Sequence, residues 1–297
     1  MADPTPPGIT VAIATLDRPE LLARCLDAVL AGVTAPWEIV VVDQGRDPLT
    51  AAVVAEREEQ ASLVYVRQPT RGLAASRNAA LAAATAPVLA TTDDDCVPDR
   101  EWLAAIGKAF AEQPAPQLVT GRVLPLGPER AGYHAISTRS SPDRVDLLAG
   151  VAPWRAGTGA NTAVERERAE RIGGWDERLG VGSAGGAGED VDFLYRLMRA
   201  GARVRYEPEA LVHHERQDAA RRRATRTSYG RGIGACCGIQ LRRGDSGGLR
   251  MLGQWTALRG GMLRRAVTQR DRRSAFEELL VARGTAGGLI YGLRVAG

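Results

Sequence analysis

Between residues 9 and 110 the chain alternates, again and again, between short runs rich in β-branched residues and stretches with helical spacing. Ile9-Thr-Val-Ala-Ile-Ala-Thr15, Trp37-Glu-Ile-Val-Val-Val-Asp43, Leu63-Val-Tyr-Val66 and Val88-Leu-Ala-Thr-Thr92 read as strands. After the first, Asp17 can cap a helix with Pro19 in its first turn. Leu21, Leu22, Cys25, Leu26, Val29 and Leu30 form its apolar side, and Gly32 and Pro36 close it. A helix through Val53 and Val54 follows the second strand, and an Ala-rich helix from about Ala74 to Ala84 follows the third. A helix over Trp102, Leu103, Ile106 and Phe110 comes after the fourth. This alternation predicts an α/β fold, a mostly parallel sheet with helices on both faces. In such sheets ligands bind beyond the carboxyl ends of the strands. The polar residues Thr15, Asp17 and Arg18, then Asp43, then Asp93 to Asp95, all fall at those ends, and none is expected at the opposite edge.

The fourth strand ends in Asp93-Asp94-Asp95-Cys96-Val97-Pro98, with Asp99 next. Adjacent carboxylates repel, and at the end of a core strand they call for an external cation. Mg²⁺ and Mn²⁺ take oxygen ligands and leave positions open for phosphate. Side-chain alternation turns Asp93 and Asp95 to the same side, while Asp94/Asp95 is a second register for the ion. A solvated acidic turn with Asp99 as a helix cap is the ordinary reading of such a triplet, and the strand before it weighs against that. Arg71-Gly72-Leu-Ala-Ala-Ser76-Arg77-Asn78 combines a glycine loop, a helix N-terminus and two guanidinium groups, a plausible anion cradle. Neither Gly-x-x-x-x-Gly-Lys nor a Gly-x-Gly-x-x-Gly after the first strand is present, which weighs against nucleotide hydrolases and dehydrogenases.

Beyond the strand Leu118–Leu124 the pattern loosens. Residues 127–156 have little periodicity. A small-residue strand (157–164), a short helix from Glu165 to about Ile172 and a turn at Gly173–Gly180 follow. The glycine-rich stretch Gly180–Gly188 leads to Glu189-Asp190 at the start of a helix whose apolar side is Val191, Phe193, Leu194, Leu197 and Met198. Carboxylates there either complement the helix dipole or act as a general base. Val204–Tyr206 and Ala210–Val212 read as two short strands, the second ending in His213-His214. Neighbouring residues of a strand point opposite ways, so one imidazole of the two could complete a site built from aspartates. The remainder reads as helices around 219–242, 249–266 and 272–283, broken by Gly244, Gly247/Gly248 and Gly260/Gly261.

Charge is unevenly spread. Residues 1–215 hold 22 Lys and Arg against 30 Asp and Glu, whereas residues 216–275 hold 15 Arg against 3 Asp. A basic tail on an acidic body points to an anionic partner such as nucleic acid, membrane headgroups or a phosphorylated substrate. No run approaches the roughly 20 apolar residues of a membrane span. Residues 1–8 lack the features of a signal peptide and read as a flexible leader. Cys25, Cys96, Cys236 and Cys237 lack zinc-type spacing, which favours a reducing, cytoplasmic setting.

In combination these segments resemble the family 2 glycosyltransferases of the GT-A fold. The resemblance rests on Thr15-Leu-Asp17-Arg18, Val41-Val42-Asp43, Arg71-Gly72 with Ser76-Arg77-Asn78, Asp93-Asp94-Asp95 with Pro98, and Gly159-Ala160-Asn161. Gly173-Gly174-Trp175-Asp176-Glu177, Gly188-Glu189-Asp190-Val191-Asp192 and Tyr206–His214 extend it over about residues 9–215. The resemblance implies a Rossmann-like GT-A domain over 9–215, with a nucleotide-sugar half (9–124) and an acceptor half (125–215), followed by an Arg-rich helical extension (216–297). It implies inverting transfer of a sugar from a nucleoside diphosphate, with Mn²⁺ or Mg²⁺ as cofactor. Thr15, Asp17 and Arg18 would line the nucleotide pocket, where this chain carries Asp17-Arg18 and many relatives carry Asn-Arg. Asp43 would accept the N3–H of uracil or thymine, favouring a UDP- or dTDP-sugar, and Arg71 and Arg77 would lie near base or phosphate. Asp93 would touch ribose and the metal shell, Asp94 being its alternative, and Asp95 would ligate the metal. His213 or His214 would contact metal or diphosphate. Asp190 would be the catalytic base, with Trp175, Asp176 and Glu189 on the acceptor side. The acceptor is expected to be a lipid-linked or polysaccharide precursor or a small-molecule aglycone, in cell-wall or natural-product glycosylation. The Arg-rich tail is expected either to attach peripherally to an anionic membrane, at the inner face of the plasma membrane, or to fold as a lid. No nucleic-acid partner is expected. A sugar-phosphate nucleotidyltransferase and a non-catalytic nucleotide-sugar binder are the competing readings. The first is disfavoured by Glu189-Asp190, the second by the presence of both Asp95 and Asp190.

Overall fold

The computed structural model describes residues 5–147 and 150–295, so the first four residues of the expected leader lie outside it. The chain forms two compact units, each discontinuous in sequence. The first comprises Met1–Arg71, Ala75–Trp175 and Leu194–Arg216; the second comprises Gly72–Ala74, Asp176–Phe193 and Gln217–Gly297.

The first unit is built on one mixed sheet. Its strands are β1 (Ile9–Thr15), β2 (Glu38–Asp43), β3 (Leu63–Arg67), β4 (Val88–Asp93), β5 (Cys96–Pro98), β6 (Leu118–Pro125), β7 (Val145–Leu147), β8 (Thr162–Glu165) and β9 (Val204–His214). Their order is β3-β2-β1-β4-β8-β6-β9-β5, with β7 beside the N-terminal part of β9. β1 to β4 are mutually parallel. The reversed strand β8 lies antiparallel between β4 and β6, and β9 runs parallel to β6. The carboxyl ends of β4 and β9 therefore emerge at the same edge of the sheet. The expected fold class is what the structure shows.

The apolar runs form strands because both sheet faces are covered: every residue of β2 is buried. Helix α1 (Pro19–Leu30) packs Leu22, Cys25, Leu26 and Val29 into the core, and α4 (Trp102–Ala111) packs Trp102, Leu103, Ile106 and Phe110 there. Between them run α2 (Leu49–Ala55) and α3 (Leu73–Ala83). Trp102 donates from its indole nitrogen to Asn161 Oδ1 at 2.9 Å, while the amide of Asn161 donates to the Ala210 carbonyl at 2.7 Å. The same amide donates to the Arg122 carbonyl at 2.9 Å, so Asn161 ties a core helix to β6 and β9.

Two expectations need correction. The amino edge of the sheet is not free of charge: Glu38, at the start of β2, is buried and accepts from Thr10 Oγ1 at 2.7 Å and from Thr85 N at 2.6 Å. These partners supply the hydrogen bonds that a buried carboxylate requires. Residues 204–214 also form one strand rather than two. The register on β6 shifts between Glu207 and Leu211, around Pro208, which cannot donate to the ladder. The weakly periodic segment 127–156 contains the two-residue strand Tyr133–His134, β7 and a 3₁₀ turn at Pro153–Arg155, among the described residues. After β8 come the short α5 (Arg166–Arg171) and then α6 (Glu189–Arg199).

The second unit is dominated by three long helices, α7 (Ala219–Arg242), α8 (Gly247–Thr268) and α9 (Arg272–Arg294). Asp218 caps α7 by accepting from the backbone of Ala220 and Arg221, and Asp271 caps α9 at Ser274. Gly244, with φ +78, makes the expected break. Gly260 and Gly261 do not break the chain, since α8 runs through both, and α9 continues past 283 to Arg294. For α9 the reason lies in the spacing. Gly230, Gly234 and Gly238 on α7 face Gly284, Gly288 and Gly292 on α9, at four-residue intervals on both helices. A Cβ on Gly234 would fall on the Thr285 carbonyl oxygen, and one on Gly288 on that of Arg231. Here glycine permits backbone-to-backbone approach. Beside the seam, Glu277 pairs with Arg222 at 2.9 Å and Arg226 at 3.2 Å, and Glu278 pairs with Arg259 at 2.6 Å. No helix among the described residues is long and apolar enough to cross a membrane.

Candidate active site

β2 and β3 lie to one side of β1 and β4 lies to the other. The chain therefore changes direction across the sheet between the ends of β1 and β4. Loops diverge at such a point and leave a crevice outside the carboxyl ends. Thr15 and the Asp93–Asp95 triplet end these two strands, with Ala14 in register with Asp93. On the next strand Asp43 sits beside Thr15, and Arg67 sits beside Asp43.

Asp93, Asp95, Cys96 and His214 each offer a ligand atom within 4.8 Å of those of the other three. The imidazole Nε2 lies 3.6 Å from Asp95 Oδ1 and 3.9 Å from Asp93 Oδ2, while Nδ1 is 3.0 Å from the Glu215 carbonyl oxygen. With Nδ1–H donated to that carbonyl, Nε2 directs its lone pair toward the two carboxylates. The Glu215 amide donates to the Asp95 carbonyl at 2.9 Å, which holds the end of β9 against the triplet. Burial pushes the Cys96 thiol well above its ordinary value. Mn²⁺ and Mg²⁺ take hard oxygen donors rather than a soft thiol, so the two carboxylates, with the imidazole beside them, are the donor set suited to these ions. His213 is not in this group; it pairs along the strand with Val97.

The third aspartate turns the other way. Asp94 is fully buried, accepts from Thr15 Oγ1 at 2.7 Å and pairs with Arg18. Burial pushes its carboxyl up to about 7, against the attraction of Arg18. Arg18 also donates to Asp95 Oδ2 at 3.0 Å, so one guanidinium bridges two of the three acids. Of the two registers open in the sequence, the structure groups Asp93 with Asp95.

Around this centre the other expected residues have definite partners. Asp43 is fully buried and accepts from Gly45 N at 2.7 Å, from the Tyr65 hydroxyl at 2.6 Å and from Arg67. Asp17 is exposed with φ +52 and accepts from the amides of Arg46 and Asp47, which hold its carboxyl below the usual range. Gly45 is required there, because a Cβ on it would strike Asp17. Arg71 is exposed and acts on Asp17 through its charge. Arg77 is buried, with Nη2 3.4 Å from Asp93 Oδ1, and a Cβ on Gly159 would collide with its guanidinium. Trp175 is buried and exchanges two hydrogen bonds with Asn78, at 2.7 and 2.9 Å.

In the second unit, Asp176 pairs with Arg178 at 2.6 Å and Arg243 at 3.3 Å. Burial alone would raise its carboxyl, and the hydrogen bonds and charge of Arg178 together with the charge of Arg243 outweigh that and lower it. Glu189 is buried. Asp190, in the first turn of α6, accepts from Val191 N at 2.8 Å. Asp192, one residue past Val191, is buried, accepts from Gln240 Nε2 at 2.6 Å and lies 3.8 Å from the Cys236 sulfur.

Several of these roles were not legible beforehand. Tyr65 read only as a strand residue, and Arg67 lay just past the expected strand Leu63–Val66, whereas the observed strand includes it beside Asp43. Gly159 carried no sign that it makes room for Arg77, because that is a contact between segments distant in sequence. Gln240, inside an Arg-rich helix, gave no signal.

A sequence profile described as "Glycosyl transferase family 2" matches residues 10–163, and one described as "Glycosyl transferase family group 2" matches residues 88–270. A "Pre-mycofactocin glycosyltransferase" of Mycobacterium tuberculosis is 33% identical over 238 residues, covering 74% of this chain and 47% of that protein. The chain thus spans about half the length of that curated relative. Among solved structures, the mannosyltransferase PcManGT from Pyrobaculum calidifontis, in complex with GDP-Man and Mn²⁺, superposes with a TM-score of 0.61 at 19% identity, over 96% of this chain and 89% of that one. S. aureus TarS 1-349 in complex with UDP-GlcNAc superposes with a TM-score of 0.58 at 14% identity, over 76% of this chain and 65% of that one. Both are similar in fold, the GT-A arrangement of a mostly parallel sheet flanked by helices. The chain belongs to glycosyl transferase family 2.

Proposed function

We propose that this protein transfers a sugar, with inversion, from a nucleoside-diphosphate donor to an acceptor hydroxyl, and that the transfer depends on a divalent metal. The observation that carries this is the convergence of Asp93, Asp95 and His214 at the switch point of the sheet in a family 2 chain. Asp95, Asp93 and His214 would hold Mn²⁺ or Mg²⁺, with His213 facing away. Once bound, such an ion screens the negative charge that develops on the departing diphosphate. Arg18 would neutralise Asp94 and Asp95 before the donor arrives, and Arg77 would hold Asp93 in place. Thr15 and Asp94 form the buried floor beneath them. Asp17, Asp43 and Arg71 would line the nucleoside end.

Asp43 favours a uracil or thymine base, because a carboxylate can still accept an N3–H alongside its three present donors. In inverting transfer a base removes the acceptor proton on the face opposite the leaving group. We assign that role to Asp190, a carboxylate in the first turn of α6. Glu189, Trp175 and Asp176 would shape the acceptor side. The acceptor classes to screen are lipid-linked or polysaccharide precursors and small-molecule aglycones. The four cysteines are all free and buried, which suits the cytoplasmic setting proposed here.

A thermal-shift panel of UDP-, dTDP- and GDP-sugars, with and without Mn²⁺, tests the reading, because a ligand that binds only the native state raises its apparent stability. The expected result is a metal-dependent rise with a uridine or thymidine donor that Asp95→Asn removes. If no nucleotide sugar raises the melting temperature with or without metal, the donor site is refuted. An equal rise in EDTA refutes the metal.

A further inference from the structure

α9 carries a face that the rest of the described protein leaves open. Phe276, Leu279, Ala286, Ile290 and Leu293 recur at intervals of three, seven, four and three residues, which places them on one stripe of the helix. Arg283 fills the remaining position of that pattern. The four large side chains are 53, 55, 51 and 44% exposed. From Phe276 to Leu293 the stripe runs about 25 Å, at 1.5 Å per residue.

The charges on this helix are sorted. Arg272, Arg283 and Arg294 are exposed along the stripe and at its ends. The two carboxylates of the helix, Glu277 and Glu278, are turned inward, where Arg222, Arg226 and Arg259 neutralise them. The open face therefore offers apolar area and positive charge together.

We propose that this face docks the protein on an anionic lipid bilayer. The helix would lie in the interface plane, with Phe276, Leu279, Ile290 and Leu293 at the headgroup–acyl boundary and the arginines among the lipid phosphates. Charge decides for lipid over a second copy of the chain. Two opposed stripes would bring arginine against arginine with no carboxylate between them. Size agrees: a stripe about 25 Å long and about 10 Å wide falls well short of the roughly 800 Å² per partner of a stable protein interface. A bilayer requires no matching partner surface. The docking goes beyond the transfer reaction and is read without donor or acceptor.

The test is flotation of the full chain with phosphatidylcholine vesicles, with and without phosphatidylglycerol, at low and high ionic strength. The expected result is binding to the anionic vesicles that weakens as salt rises. Phe276→Ser and Ile290→Ser should each lower the partition coefficient about tenfold, with the circular-dichroism melt unchanged. Arg272→Ala with Arg283→Ala should lower it on anionic vesicles alone. Absence of wild-type binding at low salt overturns the proposal, as does wild-type binding by the Phe276→Ser/Ile290→Ser variant. If light scattering shows a dimer that the same variant converts to monomer, the stripe belongs to an interface between copies, which also overturns it.

Discussion

The sheet unit and the helical unit use the same residue types for different ends. In the sheet unit, charge is concentrated at the strand ends and partly buried: Asp94, Asp95, Arg77 and Asp43 are all under a tenth exposed and engage one another or fixed neighbours. In the helical unit, two buried glutamates are neutralised by arginines, and most of the other arginines lie at the surface. Glycine divides in the same way. Gly45 and Gly159 each clear a place for one functional side chain, Asp17 and Arg77, whereas the six seam glycines of α7 and α9 clear backbone for backbone. Recurrence at four residues thus sets the seam glycines apart from those that clear a place for one side chain.

The sharpest way to break this contrast is at the carboxylates. Asp190→Asn should lower kcat by about a thousandfold while leaving donor affinity nearly unchanged, as loss of a general base does. Asp95→Asn should instead weaken Mn²⁺-dependent donor binding together with turnover. Steady-state kinetics beside donor titration separates the two; loss of donor binding in Asp190→Asn would move that residue into the nucleotide site.

Next in size is the helix seam. Gly234→Val places a branched side chain on the Thr285 carbonyl and should cost about 3 kcal/mol, typical of overpacking. A melt of the variant measures it. A cost close to zero would mean that the two backbones are not in contact at Gly234.

These two tests also mark how far the sequence could be read. Strand positions were legible because alternation and burial agree, and the acids at the end of β4 followed from them. Which acid would join His214 was not, since it depends on β9 reaching the same edge after a register shift at Pro208. The helical unit was read least well: its last helix was expected around 272–283, and Gly284, Gly288 and Gly292, which carry it on to Arg294, face counterparts on α7. Pairing between segments some fifty residues apart is invisible to local propensity.

A smaller effect belongs to Glu277. Burial raises its carboxyl, but the hydrogen bonds and charges of Arg222 and Arg226 together lower it further, so the folded-state value lies below the ordinary 4.5. Its contribution to stability is therefore complete above pH 4.5 and is lost as pH falls through the lower folded value. Glu277→Gln should cost about 2 kcal/mol at neutral pH. Melts across pH should show the gap between wild type and variant closing in acid; a gap independent of pH would mean that the Arg222 pair contributes nothing.

The smallest effect has the opposite sign. Gly253, Gly260 and Gly261 lie inside α8, and a Cβ at any of them would meet nothing within 4 Å. With no clash and with helical φ, alanine should remove backbone freedom from the unfolded chain and stabilise by about 1 kcal/mol at each site. Gly260→Ala therefore separates the two meanings of a helical glycine: it should raise the melting temperature, while Gly234→Val, a single residue in the neighbouring helix, should lower it. If Gly260→Ala destabilises instead, the outer face of α8 is covered in solution, and the division between seam and surface glycines has to be redrawn there.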